Sequence, residues 1–163
     1  MHRVFISVFL QIYNMNEQAI FDLDGTLSDN RHREHLIEGE DKQWREYRSK
    51  CAQDAPVHKT VSKLNELSMT YEIIILTCRS DEVKEKTIEW LDNNEVNYDR
   101  LIMLPEGRWN VKDSDFKKDE LRMLENPVIA FDDKKMNCRM FLEQGLETYR
   151  VGTPPNPELK QLQ

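Results

Sequence analysis

The sequence predicts a Rossmann-like α/β fold: a parallel sheet flanked by helices, with a small helical cap insert after the first strand. Three observations predict it. Short β-rich apolar runs alternate with segments of helical periodicity, the pattern of repeated strand–helix–strand units. The runs are almost continuously apolar, as strands buried on both faces require. Residues 28–58 then break the alternation with a charged, helix-spaced stretch.

The elements follow in chain order. Met1-His-Arg precedes the apolar run Val4 to Tyr13. That run reads as a short strand, or as residues ahead of a start at Met15. It loosely mimics a signal peptide, but no A-x-A-like cleavage site follows. Ala19-Ile20-Phe21 is the first strand of the predicted sheet. The insert places Trp44, Tyr47 and Cys51 at helical spacing among six Lys/Arg and seven Asp/Glu, with His32, His35 and His58. Val61, Leu64 and Leu67 mark a helix, and Ile73 to Leu76 the next strand. Val83, Thr87, Trp90 and Leu91 mark a second helix, with Ser80-Asp81 as its N-cap. Leu101 to Met103 is a strand; Phe116, Leu121 and Leu124 predict a helix ending before Pro127. Val128 to Phe131 is a strand, followed by a helix through Met136, Met140 and Phe141 that stops at Gly145. Thr148 to Val151 is a weaker last strand. The expected organisation is an extension over 1–18, one domain over 19–151 and a disordered tail over 152–163.

Composition narrows the function classes. The 163 residues carry 23 Lys plus Arg against 30 Asp plus Glu, a net charge of −7. This excludes a general nucleic-acid binder, because phosphate contacts dominate such binding. It leaves room for a local phosphate site in which a cation inverts the charge. Cys51, Cys78 and Cys138 form no CxxC pair, so they read as packing residues in a reducing cytoplasm. No apolar run is long enough to span a bilayer. Trp44, Trp90 and Trp109 read as packing residues too. Trp109, in a polar loop beside Arg108, is also a candidate base-stacking platform.

Three strand ends carry the chemistry. Phe21-Asp22-Leu23-Asp24-Gly25-Thr26 ends the first strand, Leu76-Thr77-Cys78-Arg79-Ser80 the second, and Phe131-Asp132-Asp133 the fourth. In α/β sheets, ligands sit at the carboxyl ends of strands. Four carboxylates gathered there repel one another unless a hard cation separates them. Mg²⁺ suits a site of few carboxylates completed by water and substrate phosphate.

DLDGTL resembles the first motif of the haloacid dehalogenase (HAD) phosphohydrolase superfamily. ILTCRS resembles its second motif and FDD its fourth. The resemblance implies a Mg²⁺-dependent phosphatase working through an aspartyl-phosphate. It makes Asp22 the nucleophile and Asp24 the general acid and base. Thr77 is a phosphate contact and Lys117 the charge-neutralising lysine, with the adjacent Lys118 as the alternative. Asp22, Asp24 (through its carbonyl), Asp132 and Asp133 are the implied metal ligands. An Asp at the position of Asp24 goes with phosphatases rather than dehalogenases.

The segments SDNRHREHL, KQWREYRSKCAQDAPV and YEIIILTCRSDEVKEKTIEWLDNN further resemble the phosphatase domain of bacteriophage-type polynucleotide kinase/phosphatases. The implied substrate is a phosphorylated nucleotide or nucleic-acid 3′ end, with Arg79, Thr26, Arg33 and Arg108 as contacts. Arg31 and His32 belong to the same candidate group. Relatives carry Met-Arg after the third strand. Here Leu104 holds that position, and Arg108 is the expected substitute. No GxxxxGK[ST] kinase loop is present in this sequence. The competing readings are a catalytically weak nucleotide-binding module and a phosphatase of small metabolite monophosphates.

Overall fold

In the computed structural model, which describes residues 17–163, the sequence folds into a six-stranded sheet between two helical layers. The strands are β1 (Gln18–Phe21), β4 (Glu72–Ser80), β5 (Arg100–Leu104), β6 (Pro127–Asp132), β7 (Glu147–Val151) and β8 (Leu159–Gln161). They lie in the order β5-β4-β1-β6-β7-β8, parallel except for β8. The readings of Val4 to Tyr13 lie outside the described residues.

Alternation along each strand sends side chains to opposite faces, and both faces are covered. Ala19, Phe21, Ile73 and Ile75 pack against Val61 and Leu64 of α3 (His58–Leu67) and Trp90 and Leu91 of α4 (Lys84–Asn93). Ile20, Ile74 and Ala130 pack against Phe116 and Leu121 of α5 (Asp113–Leu121) and Met140 and Phe141 of α6 (Lys135–Glu143). This double burial explains the continuous apolar runs. Phe21, Phe131 and Tyr149 lie side by side on β1, β6 and β7. Their rings stack at centroid distances of 4.4 and 4.8 Å.

The chain order around β1 creates the site. After β1 the chain crosses to β4 and β5 on one side, then returns to β6 and β7 on the other. Such a reversal opens a crevice at the carboxyl ends of the central strands. Asp22 directly follows β1, Asp132 ends β6, and Thr77 and Arg79 lie among the last four residues of β4. There the register of β4 against β5 slips between Thr77 and Ser80, an irregularity of the kind that re-aims side chains.

The insert is closed at its base by a two-stranded antiparallel ribbon, β2 (Ser28–Asp29) with β3 (Ala55–Pro56). Between them stand α1 (Arg31–Glu34), a 3-10 turn over His35–Ile37, α2 (Trp44–Ser49) and a second 3-10 turn over Cys51–Gln53. The sequence predicts a helical insert, and the structure adds a two-stranded ribbon at its base. Two-residue strands are too short to leave a periodic signal.

Other expectations need correction. The segment 152–163 is not a disordered tail. Its β8 pairs with β7 (Tyr149↔Gln161, Arg150↔Lys160, Val151↔Leu159), and Pro154 and Pro157 are buried. Backbone bonding to an otherwise open sheet edge orders a segment whose side chains are mostly polar. The helix through Phe116 ends at Leu121, and Leu124 packs from the turn that follows. Met136, at the start of α6, is exposed rather than core. Among the described residues no helix is long and apolar enough to cross a membrane.

Candidate active site

The first strand delivers Asp22 into the crevice with its amide bonded to the Phe131 carbonyl of β6, 2.9 Å away. Its Oδ1 accepts a hydrogen bond from Lys117 Nζ at 2.6 Å, and its Oδ2 one from Thr26 Oγ1 at 3.3 Å. Lys117 Nζ also donates to Asp132 Oδ2 at 2.6 Å. The ammonium is thus fully buried between two carboxylates. Burial alone lowers its pKa, but Asp132 and Asp22 overcome this and hold it charged, above its ordinary value. Lys118, the sequence alternative, is only partly buried one position further round the helix.

Asp132 also accepts from Asn137 Nδ2 at 3.0 and 3.2 Å and from the Lys134 amide at 2.9 Å. Each of Asp22, Asp132 and Asp133 offers a carboxylate oxygen, and these three oxygens lie within 4.8 Å of one another. Asp133 Oδ1 is buried and has no hydrogen-bond partner among the described residues. Burial and Asp132 push the Asp133 carboxyl up to about 6. Burial also raises Asp22 well above its ordinary value, reinforced by Asp132 and Asp133 and opposed by Lys117. Hard oxygen donors, crowded and partly unsatisfied, are what a divalent cation such as Mg²⁺ fits.

Gly25 makes this closeness possible. Its φ is +83°, where an L side chain is strained. A Cβ there would meet Asp133 Oδ2 at 2.5 Å.

Asp24 does not join the carboxylate cluster. Its Oδ1 accepts from Arg33 Nη2 at 2.6 Å and Arg79 Nη2 at 2.5 Å, and its Oδ2 from Arg79 Nε at 3.2 Å. Burial would raise this carboxyl, yet the two guanidinium groups hold it well below its usual range. Three of the four carboxylates at this sheet edge thus cluster, while the Asp24 side chain is held by arginines.

Both arginines are buried and converge on a further acid, Asp54. Arg33 donates to it through Nε and Nη2, each at 2.7 Å, and Arg79 through Nη2 at 3.1 Å. His32 Nε2 lies 2.9 Å from Asp54 Oδ1. Arg33 also stacks on the Tyr47 ring at 4.2 Å. Asp54 and Tyr47 were not foreseen as site residues. Their signals were the D-x-P step Asp54-Ala55-Pro56 and the Trp44/Tyr47 spacing.

A cavity of about 700 Å³ opens over these groups. Asp22, Asp24, Thr77, Arg33, Arg79 and Asp133 line it. Thr77 accepts from the Arg79 amide at 3.1 Å through its hydroxyl. Thr26 is buried and supports Asp22 rather than facing the cavity. Arg108 is exposed and is absent from the lining. It sits in a turn, its amide bonded to the Pro105 carbonyl at 3.1 Å beside Gly107 at φ +86°, and Trp109 and Asn110 line the cavity instead. Leu104 lines it as well. Arg31 pairs with its neighbour Asp29 at the surface.

The family described as "Polynucleotide kinase PNKP phosphatase domain" matches residues 16–154. Among solved structures, a chain of the "Pnkp1/Rnl/Hen1 complex" is 25% identical with a TM-score of 0.68, covering 84% of this chain and 46% of that one. This chain thus spans less than half the length of that protein. A class C acid phosphatase from Bacillus anthracis shares 14% identity and a TM-score of 0.59, with 83% and 62% of the two chains covered. A HAD family enzyme from Bacteroides thetaiotaomicron, in complex with magnesium and inorganic phosphate, shares 14% identity and a TM-score of 0.53 over 84% and 94% of the chains. A comparison with curated proteins gives no match.

Proposed function

Because this chain belongs to the family of polynucleotide kinase PNKP phosphatase domains, and is a phosphatase, we propose that it hydrolyses the phosphomonoester at a nucleotide or nucleic-acid 3′ end, with Mg²⁺, through an aspartyl-phosphate on Asp22. The carrying observation is the position of Asp22, at the cavity floor between Lys117 and the Asp132/Asp133 pair.

Asp22, Asp132 and Asp133 would hold the cation, with the Asp24 carbonyl as a further ligand. Bound there, Mg²⁺ would supply positive charge to the transferring phosphoryl group and keep Asp22 ionised. Asp22 then attacks phosphorus, and the bond from phosphorus to the leaving oxygen breaks. Lys117 offsets the charge that develops on the phosphoryl oxygens. Thr77, whose hydroxyl hydrogen is free to turn toward the cavity, orients one of those oxygens.

Asp24 gives the leaving oxygen a proton and later takes one from the water that cleaves the acyl phosphate. In the free protein Arg33 and Arg79 hold it ionised. An arriving phosphate shares the charge of those arginines, which lets Asp24 accept a proton before the first step. Arg33 and Arg79 thereby couple substrate binding to the protonation state of the acid.

The fold relative solved with magnesium and phosphate, and the relative from an assembly named for Pnkp1, support this reading. Phosphate release from 3′- and 5′-phosphorylated oligonucleotides and mononucleotides tests it, with Mg²⁺ or with EDTA. Release should need Mg²⁺, favour the 3′ phosphate and vanish in Asp22→Asn. Turnover retained by that variant overturns the mechanism.

A further inference from the structure

The polar floor of the cavity accounts for only part of its space. A volume of about 700 Å³ is within the range that takes a drug-sized ligand, far beyond a phosphate alone. Its other walls carry apolar and aromatic side chains among polar ones. Trp44, Tyr47 and Ile37 come from the insert; Trp109 and Val111 come from the β5–α5 loop. Trp44 is 45% and Trp109 46% exposed, among the few large apolar side chains the protein leaves open.

Trp109 is also braced. The Arg48 guanidinium of α2 lies 4.1 Å from the centroid of its ring, and Arg48 Nε is tied to Glu82 at 2.8 Å. A stacked cation fixes the indole, so little side-chain entropy remains to be lost when a second ring packs on it. The brace joins the insert to the sheet layer across the cavity mouth.

Resting on the phosphatase reading, we propose that this mouth is a nucleobase platform: Trp109, held by Arg48 and accompanied by Trp44, stacks the unpaired base of the nucleotide whose phosphate reaches Asp22. Stacking on an indole uses the face of a base and tolerates any of the four, so the platform selects single-stranded ends without selecting sequence. In a duplex end those faces are already stacked and paired. The net charge of −7 also disfavours a long duplex held along its phosphates.

The test compares a 3′-phosphorylated single-stranded oligonucleotide with the same oligonucleotide ending in an abasic residue, and with glycerol phosphate. The wild-type protein should prefer the base-bearing end in kcat/KM by about tenfold, mostly through KM. Trp109→Ala should remove most of that preference, Trp109→Phe should keep it, and Arg48→Ala should weaken it. A wild-type protein indifferent to the terminal base overturns the platform. So does a Trp109→Ala variant that slows all substrates equally. Absence of turnover on every substrate would instead sink the phosphatase reading. The platform then stands or falls on tryptophan fluorescence in Asp22→Asn, which the base-bearing oligonucleotide should quench and the abasic one should not.

Discussion

Arg33 and Asp54 form a bidentate ion pair, with both bonds at 2.7 Å and both side chains almost wholly buried, across 21 residues of sequence. Removing one partner of a buried pair leaves the other charge uncompensated. Asp54→Ala leaves two buried guanidinium groups with Asp24 alone. It should lower stability by about 3–5 kcal/mol in urea unfolding. Arg33→Lys should recover little, because an ammonium cannot reproduce the fork. A stability loss below 1 kcal/mol would show the pair to be dispensable.

Lys117 is the only ammonium bonded to Asp22 and Asp132 among the described residues. Lys117→Met should destabilise the metal-free protein by about 3 kcal/mol, since two buried carboxylates then face each other. Mg²⁺ replaces part of the lost charge. Its addition should therefore raise the melting temperature of the variant more than that of the wild type. Equal Mg²⁺ shifts would contradict the shared role of the carboxylates.

Gly25→Ala places a methyl group 2.5 Å from Asp133 Oδ2 at a residue with φ +83°. The backbone strain costs about 1–2 kcal/mol. The displaced Asp133 adds a second effect, a weaker response to Mg²⁺. Thermal melts across a Mg²⁺ titration separate the two: the first lowers the metal-free midpoint, the second raises the Mg²⁺ concentration needed for half the shift.

The pH response follows from Asp133, whose carboxyl sits near 6 against an ordinary 3.8. Between those values the folded protein keeps a proton that the unfolded chain has released. Stability of the metal-free protein from this group therefore falls as pH rises through that window. Asp22 acts in the same direction. Asp24, with its lowered pKa, acts in the opposite direction but below the window. Mg²⁺ binds the ionised carboxylates, so its stabilisation should grow as pH rises from about 4 to 7. Asp133→Asn should flatten both trends. A Mg²⁺ shift independent of pH would exclude Asp133 as a ligand.

Much of this site was readable because its residues directly follow apolar runs. Asp22, Thr77, Arg79 and Asp132 each sit at or just past the end of a buried strand, and strand ends are visible in a hydropathy pattern. Lys117 was separable from Lys118 because it follows Phe116 on the inner face of its helix. Asp54 is marked in the sequence only by its D-x-P step, which does not reveal its partners. Its partners Arg33, His32 and Arg79 lie 21, 22 and 25 residues away, and such contacts carry no periodicity. The β8 strand escaped for a related reason. Its order comes from backbone bonds to β7, and side-chain polarity does not report those. Arg108 does not line the cavity while its neighbour Trp109 does, a one-residue difference that sequence spacing does not resolve.

The three stacked rings of Phe21, Phe131 and Tyr149 have a consequence for how finely the chemistry is machined. Asp22 and Asp132 are the next residues after Phe21 and Phe131. The rings, nearly parallel at 5° and 8°, act as a gauge block clamped between adjacent strands. Phe21 and Phe131, both fully buried, hold β1 and β6 together one residue before the two acids. The separation of Asp22 from Asp132 is therefore braced twice, by hydrocarbon faces one residue back along each strand and by the Lys117 ammonium bonded to both acids.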